Sequence, residues 1–335
     1  LRILIASDAW SPQVNGVVTT LKATRAELES RGHEVAMLTP DLFRSMPCPT
    51  YPEIRLALAR PAAIARHIED FRPDAIHIAT EGPIGIVARR WCKRRGIAFT
   101  TAYHTQFPDY VAARTPLPAS LVWRFVRRFH APARHVLAST PSIRAELAEQ
   151  GIGHVAHWGR GVDLSLFRPE GEVHPAFAGL AGPILLSVGR VAVEKNLSAF
   201  LDCDVPGTKV VVGDGPARAE LEARHPDTLF LGKLSGEPLA AAYRGADVFV
   251  FPSRTDTFGL VMIEAMACGT PVAAYPVTGP FDIVCEQSGA LDEDLTAAIR
   301  RALACDRQAV ARIGSRHSWS TATDQFVAAL ATIAE

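Results

Sequence analysis

Ten short apolar runs, closed by turn-forming residues and mostly separated by helical patterns, constrain this chain more than any other feature. Five occupy the first half: RILIAS (2–7), EVAMLT (34–39), AIHIA (75–79), AFTTA (98–102) and HVLAS (135–139), with helical spacing at 17–31, 61–70, 84–95, 118–130 and 142–150. Five more follow, PILLSVG (183–189), KVVVG (209–213), TLFLG (228–232), DVFVF (247–251) and PVAAY (271–275). A strand that is apolar on both faces must be covered on both, and a helix between two such strands makes them parallel. The expected fold is α/β, with two doubly wound, Rossmann-like domains over 1–168 and 169–314 and a final helical segment over 315–335. The Gly- and Ala-rich stretch 159–182 reads as the link between the domains.

With 335 residues, 48% of them apolar and 21% charged, the chain can bury two separate cores. Its 35 basic side chains balance 35 acidic ones, so no global field draws it to nucleic acid. Six widely spaced cysteines form neither a CxxC pair nor a disulfide framework, which points to a reducing cytoplasm. No apolar run approaches the length needed to span a bilayer.

Ligands of open parallel sheets bind beyond the carboxyl ends of the strands, so two such domains facing each other are expected to make a cleft. The richest strand end is 253–270, SRTDTFGLVMIEAMACGT. Phe258-Gly259 breaks the apolar run, Leu260, Ile263, Met266 and Ala267 return at helical spacing, and Gly269 with Pro271 stops the helix. Its first amides, from Thr257 to Leu260, suit a phosphate, Asp256 would face the sugar end of the ligand, and Glu264 reaches back toward ribose hydroxyls. Asp256 or Thr257 also fits an ordinary N-cap, and Glu264 a solvated helix residue.

Other strand ends add candidates. Asn15-Gly16 precedes a helix and lets backbone approach a phosphate. His104 follows the run at 98–102, where it contacts a substrate or serves the structure. Arg190 and Lys195 are two cations suited to a diphosphate, or two surface charges, one of them paired with Glu194. Gly213 sits in VVGDGP, a βα turn whose Pro216 fits the first turn of the next helix. Asp202-Cys203-Asp204 mimics a metal-binding DxD but closes a helix, and His154 with His157 lacks further ligands at usable spacing.

The order GRVAVEKN, VVGDGP, then D-x-FG-x-x-x-x-E-A-x-A-x-G-x-PV resembles the retaining nucleotide-sugar glycosyltransferases of family 4, which have GT-B architecture. The likeness extends to SPQVNGV, YPEIRLAL, YHTQFPDY and GRGVDLSLFRP, and so covers nearly the whole chain. It implies an acceptor-binding first domain, a nucleotide-sugar-binding second domain and a last helix that returns to the first. It implies that Arg190 and Lys195 neutralise the donor diphosphate, that Gly16 approaches the same group, that Glu264 binds ribose and that His104 meets the donor sugar. Asp256 stands where the family usually has Glu, one methylene longer, which bears on donor identity. No cofactor, metal or protein nucleophile is implied. A catalytically idle nucleotide-sugar-binding protein is the reading from another class, and a sugar-phosphate epimerase of the same architecture lacks an evident acid and base here.

For the acceptor, 117–134 places Leu121, Val122, Phe125, Val126 and Phe129 on one helical stripe, with Arg124, Arg127 and Arg128 off it and Trp123 flanking. That composition suits an anionic membrane surface, or a helix packed on its own sheet with a solvated arginine face. YPEIRLAL and YHTQFPDY resemble the branch of bacterial sulfolipid, glycosyl-diacylglycerol and related mannosyl transferases. The expectation is transfer of a hexose or hexuronic acid from a UDP-sugar such as UDP-glucose to diacylglycerol, in glycolipid synthesis, by a peripheral protein at the cytoplasmic membrane face. A GDP-mannose-dependent α-mannosyltransferase is its alternative.

Overall fold

A computed structural model describes residues 1–13, 15–48, 51–104, 118–254 and 258–333. The chain forms two compact units, Leu1–Arg160 with Trp319–Glu335, and Gly161–Ser318. The first contains β1 (Arg2–Ala6), β2 (Glu34–Leu38), the antiparallel pair β3 (Ser45–Cys48) and β4 (Tyr51–Ala57), β5 (Ala75–Ile78), β6 (Thr100–Tyr103), β7 (Val136–Ala138) and β8 (Val155–His157). The second contains β9 (Ile184–Val188), β10 (Thr208–Val212), β11 (Leu229–Gly232), β12 (Val248–Phe251), β13 (Val272–Ala274) and β14 (Gly289–Leu291).

Both main sheets are six-stranded, with orders β2-β1-β5-β6-β7-β8 and β11-β10-β9-β12-β13-β14. Every neighbouring pair in them is parallel. This is the α/β, doubly wound architecture that the apolar runs predict. Covered faces explain the composition, since every residue of β5, β6 and β12 is buried. Among the described residues, three apolar clusters pack on the first sheet and two on the second. One face of the second sheet holds Leu186, Val210 and Phe249, and its other face Leu185, Val211 and Val250. The alternation is the period of two that a strand imposes.

Strand order reverses between β1 and β5 in the first unit and between β9 and β12 in the second. Loops leaving the two strands at such a point diverge to opposite faces and leave a crevice at the carboxyl end of the sheet. His104 follows β6, while Arg190 and the segment leading to Glu264 follow β9 and β12.

Stretch 159–182, expected as a link, packs largely into the second unit. Val162, Phe167 and Phe177 are buried in its core, and the amide of Val162 donates to the carbonyl of His317 at 3.0 Å. The last helix, Trp319–Ala329, belongs to the first unit, where Arg31 donates to Asp324 at 2.5 Å and to the Ser320 carbonyl at 2.9 Å. Beyond it, the Ile333 amide donates to the Asp74 carbonyl at 2.7 Å.

Helix Leu260–Ala267 is held from behind by helix Arg307–Gly314, which Asp306 caps through the amides of Gln308 and Ala309 at 3.2 and 3.1 Å. A Cβ on Gly314 would lie 2.3 Å from the Ala267 nitrogen and 2.4 Å from the Met266 carbonyl carbon, both backbone atoms that cannot rotate away. Gly314→Ala is expected to cost about 1–3 kcal/mol by overpacking this contact, seen as a lower urea midpoint at unchanged slope.

Candidate functional site

In the second unit the sequence candidates gather at the switch between β9 and β12. Strand β9 runs into Gly189 and Arg190, and a short 3-10 turn, Val193–Lys195, brings Lys195 back beside the strand ends. Arg190 and Lys195 line one recess with Ser187, Gly189, Pro252 and Ser253. The loops are tied together: Asn196, left-handed at φ 53°, donates from its side chain to the Pro252 carbonyl at 3.1 Å. Two cations of different shape thus share the entrance to the segment that follows β12.

Gly213 shows why that recess stays open. Its φ is 141°, and a Cβ there would lie 1.8 Å from the carbonyl oxygen of Gly189. Only glycine lets the turn after β10 close on the backbone beneath Arg190.

Asp256 and Thr257 lie outside the described residues. The structure resumes at Phe258, whose ring is buried and meets His317 edge-on at 6.4 Å, so only its backbone is available to a ligand. Gly259 heads helix Leu260–Ala267 at φ 83°, and a Cβ on it would lie 2.8 Å from Met262 Cε. The helix leaves its first amides without intrahelical partners and adds partial positive charge, both suited to an anion, while Leu260 is partly buried.

Glu264 sits one turn inside that helix. Its Oε2 accepts from the hydroxyl of the fully buried Tyr243 at 3.0 Å. Burial pushes the Glu264 carboxyl up to about 7, against the lowering effect of the Tyr243 hydrogen bond. The arrangement fixes one oxygen of the carboxyl group. Tyr243 carried no signal in the sequence, because its partner lies on a different helix, 21 residues away.

In the first unit, Asn15 caps helix Gly16–Ser30 by accepting from the Val18 amide at 3.0 Å and donates to Gln13 at 3.2 Å. Its side chain is committed to the cap, so ligand contact there falls to the exposed Gly16 backbone. His104 Nδ1 is 2.8 Å from Nη2 of Arg160. Burial first, then the Arg160, His77 and His130 charges, hold the His104 imidazole well below its ordinary value. The neighbouring imidazoles are paired: His77 with Thr100 at 2.9 Å, and His130 with Thr101 at 2.8 Å and with Glu81 at 3.2 Å. His154 Nε2 donates to the His130 carbonyl at 3.2 Å.

Helix Ala119–His130 corrects the expected stripe. Val122, Trp123, Val126, Phe129 and His130 form its buried face, and Trp123 stacks on Tyr103 at 6.0 Å. Trp123 is only 8% exposed and is therefore a core residue, not a membrane contact. Leu121 and Phe125, at 51% and 38% exposed, point outward instead, among the exposed Arg124, Arg127 and Arg128. Arg89 holds the far end of the helix by donating to the Phe129 carbonyl at 2.6 Å.

Comparison with known proteins agrees with this geometry. Residues 14–166 match the model for Glycosyltransferase Family 4, and residues 182–305 that for Glycosyl transferases group 1. A GDP-mannose-dependent alpha-mannosyltransferase of Mycolicibacterium smegmatis is 30% identical, covering 98% of this chain and 96% of its own length. The alpha-monoglucosyldiacylglycerol synthase of Streptococcus pneumoniae is 28% identical over 90% of this chain and 78% of its own. Among solved structures, sucrose-phosphate synthase from Thermosynechococcus elongatus superposes with a TM-score of 0.77 at 22% identity, over 98% of this chain and 97% of that one. The fold is GT-B. The chain belongs to glycosyltransferase family 4 and is a hexosyltransferase that uses a nucleotide-sugar donor.

The Glu264 carboxyl sets a pH signature. Its ordinary value is 4.5 and its folded value about 7, so between these the unfolded chain is ionised while the native carboxyl keeps its proton. Native stability contributed by this group is full below the ordinary value and is lost as pH rises toward 7. Glu264→Gln removes that loss, so denaturant titrations are expected to show the variant gaining on wild type from pH 4.5 to 7.5. Tyr243→Phe, lacking the donor that favours the ionised form, is expected to deepen the wild-type loss.

Proposed function

We propose that the protein transfers mannose from GDP-mannose, with retention, to a lipid-linked acceptor at an anionic membrane surface. The donor reading is carried by the match to a GDP-mannose-dependent alpha-mannosyltransferase along almost the whole of both chains. That match favours GDP-mannose over the UDP-sugar expected from the sequence. A lipid acceptor is supported by the relative named for diacylglycerol and by the outward Leu121 and Phe125 among arginines. The same relative favours a second reading, transfer of a hexose to diacylglycerol.

The residues suit the chemistry. The bond between the anomeric carbon and the β-phosphate oxygen breaks, and the acceptor oxygen forms its bond on the same face. Negative charge grows on the departing phosphate, where Arg190, Lys195 and the amides heading helix Leu260–Ala267 stabilise it most in the transition state. The acceptor hydroxyl gives its proton to that phosphate, so no protein nucleophile is required. Glu264 takes the ribose hydroxyls, Gly16 offers backbone to the phosphates, Gly213 keeps the recess open, and His104 contacts the sugar. Asp256 is assigned the sugar hydroxyls on the strength of the family motif.

Two measurements test this. Incubation with GDP-mannose, UDP-glucose, UDP-galactose or UDP-glucuronate and a bacterial lipid extract in mixed micelles, followed by mass spectrometry, is expected to yield a mannosylated lipid from GDP-mannose alone. A lipid product from a UDP-sugar instead would establish the second reading, and donor turnover with soluble acceptors only would remove the lipid. Separately, vesicles of phosphatidylglycerol and phosphatidylethanolamine are expected to sediment the protein at low salt and release it at high salt. Leu121→Asp with Phe125→Asp is expected to abolish sedimentation, whereas wild-type behaviour of the pair would dismiss this helix as the contact.

A further inference from the structure

Arg160 stands at a place the proposed chemistry has not used. Strand β8 ends at His157, and the chain then passes through Trp158, whose amide donates to the Ala138 carbonyl at 2.9 Å and whose ring is fully buried. The Arg160 guanidinium folds back over this ring, with Cζ 5.0 Å from its centroid. Nη1 donates to the carbonyls of Trp158 and Gly159 at 2.8 and 3.0 Å. Nη2 is thereby aimed at His104 Nδ1, 2.8 Å away across the carboxyl end of the sheet. The side chain is 8% exposed, and among the described residues no carboxylate pairs with it. Burial pulls it down to about 9, which still leaves it charged at neutral pH.

A guanidinium has donors and no acceptor. The His104 nitrogen facing it must therefore accept, which places the imidazole proton on Nε2. The Trp158 ring, edge-on at 5.4 Å, fixes the plane of the imidazole. We infer that Arg160 is a positioning residue that locks His104 as a neutral, Nε2-protonated hydrogen-bond donor. Among the described residues, the charges acting on His104 are those of Arg160, His77 and His130, and each disfavours an imidazolium. An Nε2 that already carries a proton cannot take one from an acceptor hydroxyl. His104 then acts by donating to a ligand oxygen and not as a general base. This rests on the reading of His104 as a sugar contact, and deepens it.

The test is nitrogen-15 NMR of the full-length protein labelled at histidine, with the His104 signals assigned by their loss in His104→Gln. Wild type is expected to show an unprotonated Nδ1 and a protonated Nε2 from pH 5.5 to 8. A proton on Nδ1, or titration near the ordinary histidine value, would overturn the inference without any variant. Arg160→Met is expected to give mixed tautomers and a titrating ring. Its kcat should fall about tenfold at pH 8, the scale of one oriented hydrogen bond, and recover relative to wild type as pH drops, because an imidazolium again carries Nε2–H. A merely structural role for Arg160 predicts a loss that does not vary with pH and an unchanged tautomer. If His104→Gln keeps full turnover while the wild-type tautomer is as stated, the sugar contact fails and the locking stands.

Discussion

Parallel pairing is the constraint on which the rest of this structure depends. Parallel strands joined by helices are covered on both faces, and here β5, β6 and β12 are buried throughout. Polar side chains on such strands must find partners inside, as His77 and Thr100 do. Everything able to meet a ligand is displaced to the strand ends. Because strand order reverses at one point in each sheet, the carboxyl-end loops separate there and a crevice is the geometric result.

The two units furnish that end in opposite electrostatic ways. The second presents cations and helix amides at the surface, with Arg190 exposed and Lys195 partly so, and sets one carboxyl, Glu264, behind them. The first unit buries neutral imidazoles. His77 is pulled down to about 3 by burial alone, and His104 is lowered by burial and by Arg160.

Most of the fold was legible because apolar runs and helical spacing are local signals. All ten predicted strands appear, and the helix Leu260–Ala267 begins and ends where Gly259 and Gly269 imply. The short strands β8 and β14, three residues each, gave no alternation to detect, and the pair β3 and β4 offered no helix to bracket it. The candidate site was legible as a set of strand-end residues, not as a set of partners. Arg160 meets His104 from 56 residues away, and Tyr243 reaches Glu264 from another helix. Neither pairing has a sequence period. Helix Ala119–His130 failed differently: Trp123 and Leu121 are both apolar, and only packing against Tyr103 decides which of them turns inward.

Backbone approach explains why the turns beneath the recess of Arg190 and Lys195 carry glycine. At Gly213 the obstacle to a side chain is the Gly189 carbonyl, an atom of the next strand's loop, so no rotamer change relieves it. The amide of Val191 in turn donates to the Asp214 carbonyl at 2.9 Å, and that of Gly189 to Val212 at 2.9 Å. The turns after β9 and β10 are thus laced together by main chain alone. A floor made this way has no side-chain freedom to lose when a ligand arrives, which limits the entropic cost of binding to the ligand and the two long cations. The same lacing fixes the direction in which Arg190 leaves the sheet. Its charge is delivered by backbone geometry.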